Sequence, residues 1–512
     1  MAINKIKEIV PLSVRRLRRG AICAAVAALL SACANLQGIE AGAPLKAPAD
    51  YASAGVLPGQ GGEWPDASWL AGIGGAPLQG LAAEALAGNP GLQVAAARVA
   101  AARALVDAAG AASRPQVGAS FATTRERFTE NSIYPPPFGG AYVTDNELAL
   151  TLSYDLDFWG RHRAQLRSAL SQNRAAEAEE YAARLLLSTS VARAWVQLAR
   201  ASAQLDLTRQ QAALREQLLR LTRQRYAAGL DTQSEDQQSR LQAASLGAEQ
   251  ARLNEAIALG RNQLAALLGQ GPDRGLRIAA PALVPALVAD AAPALPEQLP
   301  LGLLGRRPDI VAARWQVEAA QSDIKVAQTA FYPNVNLSAM LGLSSLGWSN
   351  FLSRGSMVDG IGPAIHLPIF EGGALRAQLK GRVAAYDAAV ATYNQALAEA
   401  LHEVADRVQS LRAADLETQS QQAASEAAER GMQLAQQRQQ VGTDNMLQVL
   451  AARIAYLSQR KLELDARARR LDLRIGLIKS LGGGFDAAAA GLAPAAPANP
   501  ATRQPPLANA AP

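Results

Sequence analysis

Residues 161–228 contain neither glycine nor proline, a run of 68. As one helix it would extend roughly 100 Å at 1.5 Å per residue. An ordinary globular helix has about 11–12 residues. A chain with such a rod must be built from long paired helices rather than from a compact mixed core. Leu207, Leu214, Leu218 and Leu221 recur at seven, four and three residues, as do Val390, Leu397, Leu401, Val404, Val408 and Leu411. These spacings are coiled-coil seams. Gly229 and Gly442 follow the two long segments, and glycine there ends a helix and permits a turn. A further helix then runs to Gly269 or to Gly482. Aromatic residues make up only 5% of the 512, which suits extended helices better than a broad globular core.

The chain also repeats itself. Residues 90–117 align with 308–335 at a constant shift, so that Pro90 meets Pro308, Val99 meets Val317, and Pro115 meets Pro333. A second block aligns with a slightly different offset. Arg225 meets Arg438, Gly229 meets Gly442, Asp231 meets Asp444 and Gly269 meets Gly482. Alanine matches carry little weight in an alanine-rich chain, whereas prolines and glycines at matched spacing do.

Between the first helix and the long helix of each half, the apolar period falls to two. Val117, Ala119 and Phe121 alternate with Gln116, Gly118 and Ser120; Leu148, Leu150, Leu152, Tyr154 and Leu156 follow. In the second half Val335, Leu337, Ala339, Leu341 and Leu343 precede Ile361, Ile365, Leu367 and Ile369. Each half thus predicts two strands of about ten residues, the length and alternation of outer-membrane barrel strands. The alternative is a pair of small soluble hairpins packed on helices. Four strands cannot close a membrane barrel, and open edges in lipid leave backbone groups unpaired. Copies must therefore share one barrel: two would give eight strands, three would give twelve and room for a pore.

The N-terminus carries an export signal. Lys5, Lys7, Arg15, Arg16, Arg18 and Arg19 stand against Glu8 alone, a balance of +5 out of the whole chain's +6. A basic segment, the short apolar run 21–30 and then Leu30-Ser31-Ala32-Cys33 make a secretory leader, and its last four residues match a lipobox whose cysteine would be acylated; the plainer reading is an ordinary signal peptide with an incidental cysteine. The apolar run is too short to span a bilayer. The paired arginines leave the Sec and twin-arginine routes both open. Cys23 is lost with the leader and Cys33 takes the lipid, so no thiol is left for a disulfide. With the basic charge concentrated in the leader, nucleic acid is not an expected partner.

The expected organisation is a lipoprotein signal peptide at 1–32 and a lipidated N-terminal linker at 33–80. A first repeat at 81–270 has strands near 115–128 and 143–157. An inter-repeat linker at 271–300 leads to a second repeat at 301–484, with strands near 333–346 and 357–370. An Ala/Pro-rich tail at 485–512 is expected to be disordered.

Gly302-Leu303-Leu304-Gly305-Arg306-Arg307-Pro308-Asp309-Ile310, Ala330-Phe331-Tyr332-Pro333, Asp157-Phe158-Trp159-Gly160-Arg161 and Phe370-Glu371-Gly372-Gly373 occur in this order across the repeat. With it, they make the chain resemble the TolC/OprM-like outer-membrane factors, in their NodT-type lipoprotein branch, over roughly residues 70–484. The resemblance implies a mainly α protein with a membrane β-barrel portion. Each chain of a homotrimer would give four strands to a shared twelve-stranded barrel and would continue as a long periplasmic α-helical barrel. It implies passive efflux across the outer membrane, docked to a periplasmic adaptor and an inner-membrane pump, often proton-driven and of the resistance-nodulation-division type. It also places an apolar constriction of the periplasmic tip at Leu447, beside Asp444 and Gln448, while the family's usual acid falls at Ala451. Glu235 and Asp236 would supply acids from the equivalent first turn. The plainer reading of all five is solvated helix-turn residues.

No catalytic constellation stands beside this. His162, His366 and His402 are scattered, and no phosphate-binding loop is present. Neither an enzyme, nor a metal, nor a cofactor beyond the N-acyl diacylglycerol lipid on Cys33 is expected. Arg306-Arg307-Pro308-Asp309 reads as a helix start, and Trp195 as packing. A duct for protein secretion by an ATP-driven exporter and a poreless periplasmic coiled-coil scaffold are the competing functions.

Overall fold

The computed structural model describes residues 38–494, apart from 53–54, 58–60, 132, 134, 282–295 and 297–298. Cys33, the leader and the tail beyond 494 lie outside the described residues. The chain divides into two compact units. One comprises Met1–Pro44, Ala100–Asn173 and Trp315–Thr392; the other comprises Leu45–Val99, Arg174–Arg314 and Tyr393–Pro512.

The first unit holds four strands: β1 (Gln116–Arg127), β2 (Tyr142–Asp155), β3 (Asn334–Leu346) and β4 (Met357–His366). They form one antiparallel sheet in the order β1-β2-β3-β4. Val117 pairs with Leu152, Leu152 with Ala339, and Ala339 with Ile361. This register puts Val117, Phe121, Leu148, Leu150, Leu341, Ile361 and Ile365 on one face. Gly118, Ser120, Thr151, Ser338, Gly342 and Gly360 occupy the other. Because strand side chains alternate, a slip of one residue would invert this partition. Three strands are longer than ten residues, whereas β4 stops at His366, short of the expected 370. Asn334, the first residue of β3, pairs with His366, so Leu367 and Ile369 have no β3 partner and lie beyond the sheet. Beside the sheet, Ala327, Phe331, Leu379 and Val383 form a local core with Ile39, Ile324 and Leu375.

The long helices observe the repeat to the residue. Helices α1 (Ala71–Gly88) and α2 (Pro90–Ala111) precede β1; α3 (Arg161–Ala227) and α4 (Gln233–Leu267) follow β2. After the short α5 (Pro272–Leu276) come α6 (Leu299–Arg306), α7 (Pro308–Thr329), α8 (Ala374–Gln440) and α9 (Met446–Ser480). Helices α3 and α8 have 67 residues each, α4 and α9 have 35 each, and α2 and α7 have 22 each.

In the second unit, Leu78 of α1, Val191, Trp195 and Leu198 of α3, Leu264 of α4 and Ile475 of α9 share the main core. Leu214 packs with Leu450, Ile454 and Leu457, flanked by Leu207 and Leu218. The α3 seam thus lies against α9. Leu397, Leu401, Val404, Val408 and Leu411 are all buried.

Three segment boundaries differ from the sequence expectation. Helix α1 begins at Ala71, so a repeat starting at 81 cuts a helix; its Leu78, Ala82 and Ala85 are fully enclosed. The linker at 271–300 contains α5 and the start of α6, with Ile278 in the main core. The first part of the tail is packed rather than disordered. Phe485 and Leu492 are buried, the Phe485 ring centroid lies 5.1 Å from that of Tyr181, and Asp486 pairs with Arg306 at 3.2 Å. The Ala487 N–H also donates to the Gly305 carbonyl at 2.8 Å, so this stretch is held by packing, an ion pair and a backbone bond although it is mostly alanine.

Candidate functional site

The residues singled out from the sequence fall in two regions: the sheet, and the turns that join α3 to α4 and α8 to α9.

The apolar face of the sheet is exposed. Val117 is 64% exposed, Ile361 78% and Ile365 69%. Aromatic residues gather at both ends of this apolar face. At the end remote from the helices, Phe121, Trp348 and Phe351 make ring contacts at centroid separations of 5.8–6.2 Å. At the helix end, Trp159 stacks on Tyr332 at 4.7 Å and donates from Nε1 to the Pro333 carbonyl at 2.7 Å. Phe158 and Phe370 are exposed beside them. An apolar band between two aromatic girdles is the lipid-facing surface of a membrane barrel.

Asp157 starts α3. Its Oδ1 accepts from the His162 backbone N–H and its Oδ2 from that of Arg163, each at 3.1 Å. Burial pushes the Asp157 carboxyl up, but these N–H groups outweigh it and hold the carboxyl below the usual range. His162 is buried, with Nε2 3.1 Å from Asp155 Oδ2. That puts it at the junction of strand and helix.

Gly229 and Gly442 both take positive φ, +71° and +78°. Leu230 N–H donates to the Arg225 carbonyl at 2.8 Å, and Thr443 N–H to the Arg438 carbonyl at 2.9 Å. Each long helix therefore ends in the same left-handed glycine cap. Beyond it the side chains differ. In the first turn, Arg225 grips Asp231 through Nε and Nη2 at 2.9–3.0 Å, which raises the Arg225 pKa. Thr232 Oγ1 accepts from Glu235 N–H while Glu235 accepts from Thr232 N–H, a reciprocal cap on α4. Asp236 is buried, 2.8 Å from Arg240 Nε and 3.5 Å from Arg223 Nε. Glu235 and Asp236, expected to face the tip as acids, are thus engaged within their own turn.

The second turn is braced by backbone-to-side-chain hydrogen bonds rather than by ion pairs. Asn445 Oδ1 accepts from Gln448 N–H at 3.1 Å, and Asp444 Oδ1 from Asn445 N–H at 3.0 Å. Among the described residues, Asp444 and Arg438 make no ion pair. Leu447 and Asp444 are half-buried, and Gln448 is exposed.

Two ion-pair rivets escaped the sequence. Arg307 reaches Asp309 at 2.6 Å, Glu403 at 3.0 Å and the Ser480 carbonyl at 3.1 Å, tying α7, α8 and α9 together. Burial pulls the Arg307 guanidinium down, but Asp309 and Glu403 outweigh it and raise it. Arg274 forks onto Glu84 at 3.0 and 2.8 Å, and that bond lowers the Glu84 carboxyl. Among the described residues, no His/Cys/Asp/Glu group is arranged to hold a metal, and no helix is long and apolar enough to cross a membrane.

The family model described as outer membrane efflux protein matches residues 81–270 and 299–483. The chain is similar to the fusaric acid resistance protein FusA of Burkholderia cepacia. The two are 38% identical over 319 residues, which cover 62% of this chain but only 59% of that protein. It is similar to the multidrug resistance outer membrane protein MdtP of Escherichia coli O6:H1, 30% identical over 433 residues, covering 83% of this chain and 88% of that one. Among solved structures it is similar to the outer membrane protein VceC of Vibrio cholerae, with a TM-score of 0.74 and 38% identity over 83% of this chain and all of that one.

Proposed function

The chain belongs to the outer membrane efflux protein family, and we propose that three copies of it close one passive duct, tethered to the outer membrane by acyl chains on Cys33. It is an outer-membrane channel through which an efflux system discharges its solutes. The carrying observation is the four-stranded sheet, apolar and exposed on one face, whose edge strands β1 and β4 have no further strand beside them among the described residues. Each unpaired backbone group in lipid costs several kcal/mol. Only closure with further copies removes the edges, and twelve strands leave a lumen where eight would be filled. Native mass measurement of the detergent-extracted protein tests this. Three chains with acyl mass on each support it, and any other stoichiometry sinks it.

The energy for export resides in the partners. A periplasmic adaptor meets the helical turns, and an inner-membrane pump, proton-driven and of the resistance-nodulation-division type, loads the duct. Toxic small molecules are the cargo class, in keeping with the multidrug relative. A deletion strain should become hypersusceptible to such compounds and recover on complementation; unchanged susceptibility across a broad panel would remove this cargo assignment.

The tip is narrowed by Leu447, with Asp444 and Gln448 beside it on the second turn. Since Glu235 and Asp236 are bound within the first turn, the constriction is chiefly apolar. Leu447→Gly should raise single-channel conductance and antibiotic leakage, and no change in either would displace the gate from this residue.

A further inference from the structure

The apolar face of the sheet is not wholly apolar. Its strand residues include three charged side chains, Arg125 and Arg127 on β1 and Asp359 on β4. The inner strands β2 and β3 place none on that face. Opposite charges thus lie on the two strands left open. Arg127 is occupied within its own loop, donating to Glu130 at 3.1 Å and to the Gly140 carbonyl at 3.0 Å. Arg125 and Asp359 are exposed, and among the described residues neither has an ion-pair partner.

Registry decides whether they can meet. In a closed ring, β4 of one copy runs antiparallel to β1 of the next. Strand β4 has ten residues and β1 has twelve. Val117, Ala119 and Phe121 must stay on the same face as Ile361 and Ile365, which excludes every register shifted by one residue. Only two registers then pair all ten residues of β4. In one, Asp359 stands directly opposite Arg125. In the other, it stands opposite Thr123, with Arg125 its diagonal neighbour. Directly opposite Cβ atoms are about 4.5–5.5 Å apart and diagonal ones about 7–8 Å, within reach of an arginine.

We propose that Arg125 of one copy pairs with Asp359 of the next on the lipid-facing side of each subunit joint. The pair fixes the register of the joint and removes two isolated charges from the membrane surface, where either alone is costly. This rests on the shared barrel described above, and its partner is a second copy of this chain.

Charge reversal tests it in the full-length protein extracted from outer membranes. Arg125→Asp and Asp359→Arg should each cut the fraction of trimer surviving mild heating in detergent at least twofold, and the double reversal should recover most of it. Paired cysteines supply a second readout. Once Cys23 is removed with the leader and Cys33 is acylated, Arg125→Cys with Asp359→Cys are the only thiols. They should oxidise into inter-subunit cross-links, while Val117→Cys with Asp359→Cys should not. A wild-type trimer in which the reversals are neutral, or in which position 359 cross-links to 117 and not to 125, overturns the pair. A wild-type protein that is no trimer overturns the shared barrel itself.

Discussion

The turns after α3 and α8 share a backbone and differ in what braces it. Both end in a glycine with positive φ and in the same hydrogen bond back to an arginine carbonyl. Even the side chains begin alike, since Arg225 aligns with Arg438 and Asp231 with Asp444. Only the first pair closes. Farther on, Glu235 aligns with Gln448, and the buried Asp236 aligns with the buried Val449. Repeat one fills that position with a carboxylate held by two arginines, and repeat two fills it with a methyl pair. The second turn, which carries Leu447, is braced by no ion pair among the described residues.

Exchanging the buried position should break the contrast most. Val449→Asp buries a carboxylate where Gln436 replaces one of the two gripping arginines, and should cost about 3 kcal/mol of local stability. The reverse change, Asp236→Val, leaves the half-exposed Arg223 and Arg240 free to turn to solvent and should cost about 1 kcal/mol. Hydrogen exchange of amides across 438–453 and 225–240 would register both; equal costs would erase the asymmetry. Gly229→Ala and Gly442→Ala should each cost about 1–2 kcal/mol, because both positions are left-handed and neither new Cβ meets a neighbour within 4 Å. A clear difference between them would show that the backbones are not equivalent. Thr232→Ala and Asn445→Ala each remove a helix cap, worth about 1 kcal/mol. The first should also release Glu235, so it should cost slightly more. Smallest of all, raising salt from low to about 1 M should speed exchange in the first turn by a few tenths of a kcal/mol and leave the second unmoved.

Much of this contrast is legible before any coordinates. The glycine-free, proline-free run and the repeat locate the long helices within a residue, because helix ends follow local chemistry. Thr232-x-x-Glu235 is itself a capping-box signature, so the engagement of Glu235 could be read from spacing. The engagement of Asp236 could not, because burial beside Arg223 depends on how α3 meets α4. Arg307 and Glu403 lie 96 residues apart, and no local pattern links them. Strand β4 is shorter than its alternation suggests, since Leu367 and Ile369 keep the period of two past His366, where β3 offers no further partner. In the tail, alanine and proline mask Phe485 and Leu492; Phe485 packs on Tyr181, about three hundred residues away in sequence. The sheet faces were readable from period two, whereas the charges on its edges gain meaning only from register.

The central claim is that copies of this chain form a continuous passage. Single-channel recording of the purified full-length protein in planar bilayers tests it most directly. Stepwise conductance that grows in Leu447→Gly is the predicted result. Bilayers that stay silent with a correctly assembled protein, wild type and variant alike, would contradict it.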